Sequence, residues 1–125
     1  LLKKSQSPKI INIGSIYGIK APRFDIYKNT NINTQIAYAV SKAGLLQLTK
    51  WLASYYGKKF SINMITLGGL KSKYMSKKFI KNYSKYTYKK RLLELSDMDH
   101  ALTYLSDANY ITGENIILDG GWTNY

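Results

Sequence analysis

Three short, mostly apolar runs along the chain predict β-strands. They lie at residues 9–15, 61–66 and 115–119. The first ends in glycine and serine and is typical of a strand buried on both faces of a parallel sheet. A strand, a long helical segment and a second strand in this order predict a crossover unit with parallel strands. The pattern therefore indicates an α/β fold.

Helical periodicity accounts for most of the chain between these runs. It begins near Thr34 and continues to Gly57, a candidate C-terminal cap. The predicted buried stripe of this helix has i, i+3, i+4, i+7 spacing and consists of Leu48, Trp51, Leu52 and Tyr55. The segment 71–95 is also predicted to be helical.

Two further local patterns complete the prediction. Ser96 and Asp99 form a capping-box pattern, which predicts a short helix over 97–107. Residues 16–33 are rich in asparagine, contain Pro22 and read as a long loop. Long loops in compact domains are usually functional or disordered, so this one is a candidate part of a site.

Composition narrows the class of protein. With 125 residues, 45% of them hydrophobic, the chain has the size and composition of one globular domain. No apolar stretch approaches the roughly 18 residues of a membrane-spanning helix and no signal-peptide order opens the chain, so we expect a cytoplasmic location and no membrane partner. Cysteine is absent and His100 is the only histidine. Thiolate and multi-histidine metal sites are thereby excluded, and no metal is expected.

The net charge of +12 indicates a rival class of function, because a basic face is typical of nucleic-acid binders. Lysines concentrate between residues 71 and 91, interleaved with tyrosines that could stack bases: Tyr74, Tyr83, Tyr86 and Tyr88. No helix-turn-helix, zinc-ligand or ribonucleoprotein pattern accompanies them. A solvated lysine-rich face is the commoner explanation, so nucleic acid is not the expected partner.

The strongest candidate chemistry lies in Ser15, Tyr38 and Lys42. Residues four apart on a helix share a face, so Tyr38 and Lys42 are expected to point into one volume, where the ammonium favours the phenolate form of the tyrosine. Ser15 ends a predicted strand, at the edge where open α/β sheets bind ligands. Taken singly, each residue also has a structural explanation, as a turn serine, an amphipathic tyrosine and a solvated lysine. Together and in this order they favour an enzyme.

The tyrosine–lysine spacing alone has little value in this chain, because it recurs at Tyr55, Tyr74 and Tyr86. The first copy differs in its setting, the run AYAVSKAG, where small side chains surround the pair. Small neighbours allow a ligand to approach closely. We therefore expect Tyr38, and not the other copies, to belong to a site.

Four runs in order, IINIGSIYG, YAVSK, INMITLGGL and YITGENIILDGG, resemble the second half of a short-chain dehydrogenase/reductase. The resemblance extends from Lys9 to Trp122. It implies an NAD(P)-dependent oxidoreductase that interconverts a carbonyl and an alcohol. The implied fold is a partial Rossmann-like doubly wound parallel sheet, comprising the last three strands with their helices.

The resemblance also implies roles for individual residues. Tyr38 is the implied general acid/base, Ser15 holds the substrate carbonyl or hydroxyl, and Lys42 binds the nicotinamide ribose. Tyr38 and Lys42 are thus cofactor-binding as well as catalytic, and Gly68 with Gly69 forms the turn beside the nicotinamide, where a bulkier residue would collide with the ring. An ordinary flexible turn is the alternative for these glycines. The implied partners are NAD or NADP and a small-molecule substrate.

The chain departs from the family pattern in several places. Leu67 stands where the family usually has proline, and the extra residues in the 16–33 loop resemble members that act on sugars or nucleotide sugars. The glycine-rich dinucleotide turn has no counterpart here. We therefore expect residues 1–125 to be the carboxyl-terminal portion of one Rossmann-type oxidoreductase domain, with an open edge on the first strand and activity only when an amino-terminal half is supplied.

Two further expectations follow. A homo-oligomer is implied by the resemblance, because family members often pair through the helix that bears the tyrosine. The alternative function is a non-catalytic remnant or basic interaction module that keeps the fold and binds a partner through its lysine-rich face.

Overall fold

A computed structural model describes residues 5–125 and shows a three-stranded parallel sheet in the order β1-β2-β3. The strands are β1 at Lys9–Ser15, β2 at Ser61–Leu67 and β3 at Asn115–Leu118. The predicted bounds of all three strands differ from these by at most one residue. The predicted α/β class and partial Rossmann-like sheet are confirmed.

Parallel pairing brings the carboxyl ends of the strands to one edge of the sheet. β1 and β2 pair from Lys9 opposite Ser61 to Ser15 opposite Leu67, and Leu67 is also opposite Leu118 of β3. The segments that follow the three strands therefore emerge together. Within residues 5–125, β1 pairs only with β2, so its outer edge is open as predicted.

The helix α1, Ile36–Tyr56, connects β1 to β2 and covers one face of the sheet with small and polar side chains. The Asn12 amide donates to Thr49 Oγ1 at 2.8 Å, and the Thr49 hydroxyl donates to the Leu45 carbonyl. Thr49 and Ala53 are the buried residues of the helix. Small side chains thus allow α1 to approach the strands closely.

The predicted buried stripe of α1 is wrong. Leu48, Trp51 and Tyr55 are 48%, 54% and 69% exposed, and Leu52 is half-buried. Trp51 and Tyr55 stack on each other with ring centroids 5.2 Å apart. The sheet packs against the small residues of the helix instead, and the bulky apolar face points away from it.

The helix α3, Asp99–Asp107, covers the opposite face of the sheet. Its buried residues Ala101 and Leu105 pack with Ile65 and Leu67 of β2 in one apolar cluster. Because side chains alternate along a strand, this face is distinct from the face covered by α1. The sheet therefore has helices on both sides, as in a doubly wound fold.

The turn that leads into α3 begins earlier than predicted. Its capping box consists of Glu94 and Asp97 rather than Ser96 and Asp99. The Asp97 carboxylate accepts a hydrogen bond from the Glu94 backbone N–H at 2.8 Å, and the Arg91 guanidinium donates two more to the same carboxylate. Arg91 fixes Asp97 in this position, which the local pattern alone does not indicate.

The basic segment 71–95 is helical only in its middle, as α2 at Lys77–Ser84. The Lys71 N–H donates to the Leu93 carbonyl, and the Leu93 N–H donates to the Gly69 carbonyl, at 2.8 and 2.9 Å. Backbone bonds between the two ends of the segment require the chain to double back, so the prediction of one continuous helix is wrong.

A second buried cluster lies beyond the carboxyl ends of the strands and joins the 16–33 loop to α2 and to the end of the chain. Its buried members are Ile16, Ile26, Phe79, Tyr83, Leu92 and Trp122.

The helices formed by residues 5–125 include no candidate for a membrane span, since none combines the necessary length with the necessary apolar character.

Candidate active site

A cleft of about 600 Å³ opens at the carboxyl ends of β1 and β2. Its walls come from the loop after β1, the first turns of α1, the turn after β2 and one side of α2. All the predicted site residues line it: Ser15, Tyr38, Lys42, Gly68 and Gly69. The structure therefore brings together residues that are up to 54 positions apart in sequence.

Ser15 is buried at the end of β1, with 7% of its surface exposed. Its hydroxyl oxygen accepts a hydrogen bond from the Tyr17 backbone N–H at 3.3 Å, which fixes the side chain at the start of a short 3-10 turn. A serine hydroxyl carries one proton and two lone pairs. After this bond the Ser15 proton is still available to a ligand oxygen in the cleft.

Gly18 explains why Ser15 lies beside α1. A Cβ added at Gly18 would lie 2.7 Å from the Lys42 carbonyl carbon and 2.9 Å from the Ala43 nitrogen. The turn after β1 therefore packs directly against the backbone of α1 at Lys42. Only glycine allows this approach, and its place three residues after Ser15 is a sequence signal for it.

Lys42 is held at the cleft by the strand. Its Nζ donates a hydrogen bond to the Ile13 carbonyl at 3.1 Å and lies 5.7 Å from the centroid of the Tyr38 ring. An ammonium has three N–H donors. Within residues 5–125 the Ile13 carbonyl is the only acceptor that Lys42 contacts, so two N–H donors remain for a ligand.

Tyr38 lies in the first turn of α1 and is 44% exposed. The Tyr17 ring packs against it edge-on, with centroids 6.5 Å apart and planes at 89°. A phenol, an ammonium and a hydroxyl thus surround one cleft. Such a set can hydrogen-bond a carbonyl oxygen and donate a proton to it.

The glycines after β2 allow a close approach of α2. A Cβ added at Gly69 would lie 2.8 Å from Tyr83 Cζ, and one at Gly68 would lie 2.9 Å from Asp119 Cα. The Gly69 N–H donates to the Tyr83 hydroxyl at 2.5 Å. The protein itself therefore requires glycine at both positions; that a larger residue would also meet a bound ring stays a prediction.

Sequence reasoning missed Tyr83 as a cleft residue and treated it as one of several tyrosines on a basic face. It is buried, and its ring stacks on Trp122 with centroids 5.9 Å apart. Burial raises the pKa of Tyr83 far above its ordinary value, outweighing the opposing effect of the Gly69 N–H. The phenol is therefore neutral at physiological pH. The apolar neighbours of Tyr83 at i−4 and i−3, Phe79 and Ile80, were an available helical signal.

Two further tyrosines of the cleft, Tyr17 and Tyr27, were also missed. Their hydroxyl oxygens lie 2.6 Å apart and share a hydrogen bond. Burial is the main cause that raises the pKa of each phenol. Tyr17 stands two residues after Ser15, on the same strand-end segment, which was the available signal for it.

The 16–33 loop is anchored to α2. Ile26 is fully buried, its carbonyl accepts a hydrogen bond from the Asn82 amide at 3.1 Å, and the Tyr27 ring lies 5.6 Å from the Phe79 ring. The loop is therefore packed in place and forms a wall of the cleft; that it has a function stays a prediction.

The tyrosines of the basic segment do not form one exposed array. Tyr83 is buried, and the Tyr86 ring lies under the Arg23 guanidinium at 4.6 Å. Tyr74 and Tyr88 are the two that are largely exposed, at 78% and 57%. The tyrosines that alternate with lysines in this segment are therefore divided between the core and the surface.

Nearly the whole chain is similar to known proteins. A family model described as enoyl-(acyl carrier protein) reductase matches residues 4–123. The chain is 32% identical to the post-translational flagellin modification protein A of Campylobacter coli, over 96% of this chain and 48% of that protein. The chain thus spans about half the length of the relatives that it matches.

Solved structures share the arrangement of the described elements. A short chain dehydrogenase from Leptospira borgpetersenii, with bound NAD+, is 36% identical with a TM-score of 0.84, over 92% of this chain and 44% of that one. RhlG of Pseudomonas aeruginosa, in an active-site complex with NADP, is 28% identical with a TM-score of 0.81, over 98% of this chain and 49% of that one.

Proposed function

Since the chain belongs to the short-chain dehydrogenase/reductase family, we propose that it contributes the catalytic residues of an NAD(P)-dependent oxidoreductase that interconverts a carbonyl and an alcohol. The observation that carries this proposal is the meeting of Ser15, Tyr38 and Lys42 around one cleft at the carboxyl ends of parallel strands.

The proposed chemistry follows from the donors in the cleft. In the reducing direction, Ser15 donates a hydrogen bond to the substrate carbonyl oxygen, and Tyr38 transfers its phenolic proton to the same oxygen as negative charge develops. Lys42 stabilises the phenolate that is left. In the oxidising direction the same groups remove the proton from the alcohol.

The residues of this chain suit the nicotinamide end of the cofactor, which when bound would supply or accept the hydride. Lys42 keeps two N–H donors for ribose hydroxyls after its bond to the Ile13 carbonyl. Gly68 and Gly69 present backbone rather than side chains to the same cleft. The proposed cofactor is NAD or NADP.

We further propose that residues 1–125 act as the carboxyl-terminal portion of one Rossmann-type domain, and that catalysis requires a glycine-rich dinucleotide-binding segment in addition to them. The chain covers 48% of its flagellin-modifying relative and 44% of the Leptospira dehydrogenase. The open outer edge of β1 is where a further strand of a Rossmann sheet would pair.

The proposed substrate is a small hydroxylated carbonyl compound such as a sugar or nucleotide sugar. Asn33, Thr34 and Gln35 line the cleft with neutral hydrogen-bonding side chains, which suit hydroxyl groups better than charges. The name of the flagellin-modifying relative fits this class only loosely.

The exposed apolar face of α1 supports the homo-oligomer that the family resemblance implies. Ile36, Val40, Trp51 and Tyr55 are each more than half exposed. Large apolar side chains exposed along one helix are typical of an interaction site.

Complementation tests the proposed function. The chain is co-expressed with the amino-terminal half of a related reductase, and the absorbance of reduced nicotinamide is followed with carbonyl substrates. Tyr38→Phe is expected to lower kcat about 100-fold or more, since it removes the proton donor. The matched control is Tyr104→Phe, an exposed tyrosine of α3, with unchanged turnover. Turnover that survives Tyr38→Phe contradicts the proposal.

A further inference from the structure

The cleft contains a pair of phenols that the proposed chemistry does not use. Tyr17 and Tyr27 both line it, and their hydroxyl oxygens are 2.6 Å apart. Tyr17 lies at the start of the 16–33 loop, two residues after the end of β1, and Tyr27 lies farther along the same loop. The 16–33 loop thus folds so that a second phenol lies against the first.

A count of protons shows what the pair can do. Two phenols carry two hydroxyl protons, and the bond between them uses one, whichever oxygen donates. Within residues 5–125 the bond between the two phenols is the only hydrogen bond that either hydroxyl makes. One phenolic proton therefore remains at the cleft without an acceptor.

Aromatic packing holds the two hydroxyls in place. The Tyr17 ring packs edge-on against Trp122, with centroids 6.0 Å apart, and against Tyr38. The Tyr27 ring lies on Phe79. Because burial raises the pKa of both phenols, they remain neutral donors throughout the physiological range.

We propose that the Tyr17–Tyr27 pair binds a second oxygen of the substrate, adjacent to the reacting carbonyl. The Tyr17 and Tyr38 rings are 6.5 Å apart, so one small molecule can reach both. The site therefore prefers a hydroxyketone to the ketone of the same carbon skeleton. This inference rests on the proposed function, because it takes the group that contacts Tyr38 to be the reacting carbonyl.

The apolar surroundings of the pair strengthen this preference. Ile32, Met75 and Phe79 line the same cleft and offer no hydrogen-bond partners. A ligand that displaces water without supplying an oxygen leaves the phenolic proton unpaired, which is costly in a desolvated site.

The test measures binding to the chain itself, without turnover. Acetoin and butanone have the same carbon skeleton and differ by one hydroxyl group, and ligand-observed NMR titration gives a Kd for each. We expect the wild-type chain to bind acetoin about 3-fold to 10-fold more tightly, the range of one neutral hydrogen bond. The double variant Tyr17→Phe/Tyr27→Phe should bind the two probes equally.

The single variants keep the test decisive where the double variant fails to fold. Tyr17→Phe and Tyr27→Phe each leave one phenolic proton but remove the bond that orients it. Their preference for acetoin over butanone should therefore be weaker than that of the wild-type chain but still measurable. Circular dichroism confirms folding, and Tyr104→Phe is the matched control. Equal wild-type binding of the two probes, no binding of acetoin, or an unchanged preference in the folded variants overturns the proposal.

The two proposals fail separately. If the complemented enzyme turns over and requires Tyr38 but shows no preference for acetoin, the phenol pair has no role in binding and the proposed function stands. If the preference depends on the pair but Tyr38→Phe leaves turnover intact, the binding site stands and the catalytic assignment falls.

Discussion

The start of α1 and the basic segment contain the same local pattern, a tyrosine four residues before a lysine, and fold into different environments. Tyr38 and Lys42 share a helix face and line one cleft. Tyr86 lies outside the helices and donates its hydroxyl proton to the Asp25 carboxylate. Lys90 has a positive φ of 54° and donates to the Lys85 carbonyl. The same spacing therefore places one pair of residues at a shared cleft and gives the other pair separate contacts.

The two regions also differ in the forces that hold them. Buried aromatic rings and a glycine contact with a helix backbone hold the cleft. The end of the basic segment depends on charge, through the Arg91 guanidinium and the Asp97 carboxylate at 2.5 and 2.7 Å. Changes in ligand binding and in packing should therefore affect the cleft. A change in pH should affect the end of the basic segment.

The largest difference between the two tyrosine–lysine pairs is expected in catalysis. Lys42→Met removes the proposed ribose donor and the charge beside the phenol, so kcat/KM of the complemented enzyme should fall about 100-fold, or about 2.7 kcal/mol. Lys90→Met is the matched control and should leave kcat/KM within about twofold. Steady-state kinetics measures both. Equal losses in the two variants would contradict the prediction that the location of Lys42 at the cleft sets it apart from Lys90.

A smaller effect is expected from the glycine that joins the serine turn to α1. Gly18→Ala places a methyl group 2.7 Å from backbone that cannot move away, and should lower the free energy of unfolding by about 2 kcal/mol. Urea denaturation measures it. Gly44→Ala is the contrasting variant, because nothing lies within 4 Å of its added Cβ and alanine is the better helix former, so stability should rise by about 0.5–1 kcal/mol. Equal stability of the two variants would rule out the close contact.

The smallest effect concerns the charge pair of the basic segment. Chiefly the Arg91 guanidinium, and also the Glu94 N–H, lower the pKa of Asp97 well below its ordinary value of about 3.9. A carboxyl with a lowered folded-state pKa stabilises the fold above its unfolded-state pKa, and the contribution disappears as pH falls through the folded-state value. Asp97→Asn should therefore lower the thermal midpoint at pH 7 and lose this effect progressively below about pH 4. A difference that stays constant from pH 7 to pH 2 contradicts it.

Local sequence determines the strands and the framework of the site well. β1 was predicted to its exact bounds because an apolar run that ends in glycine has few alternatives, and order along the chain then places Ser15, Tyr38 and Lys42 at one edge. Their catalytic and cofactor-binding roles stay predictions. Gly68 and Gly69 line the expected cleft. The close contact of Gly69 with the Tyr83 ring, which requires glycine there, is not visible in any local sequence pattern.

The errors share one physical cause, the dependence on tertiary contacts. The apolar stripe of α1 was identified, but periodicity cannot say whether the sheet packs against that stripe or against Thr49 and Ala53. Arg91 shifts the start of the turn before α3 through a charge contact. The Tyr17–Tyr27 pair joins residues ten positions apart across a loop with no regular period, so only the folded chain reveals it.

The seclusion of Trp122 has a practical consequence. This indole is fully buried, and its rings contact Tyr83 and Tyr17, two walls of the cleft. The second tryptophan, Trp51, is on the outer surface of α1 and can be replaced by phenylalanine without touching that cluster. Trp122 is then the only indole of the chain, and its fluorescence can report on whatever enters beside Tyr38, with no label attached.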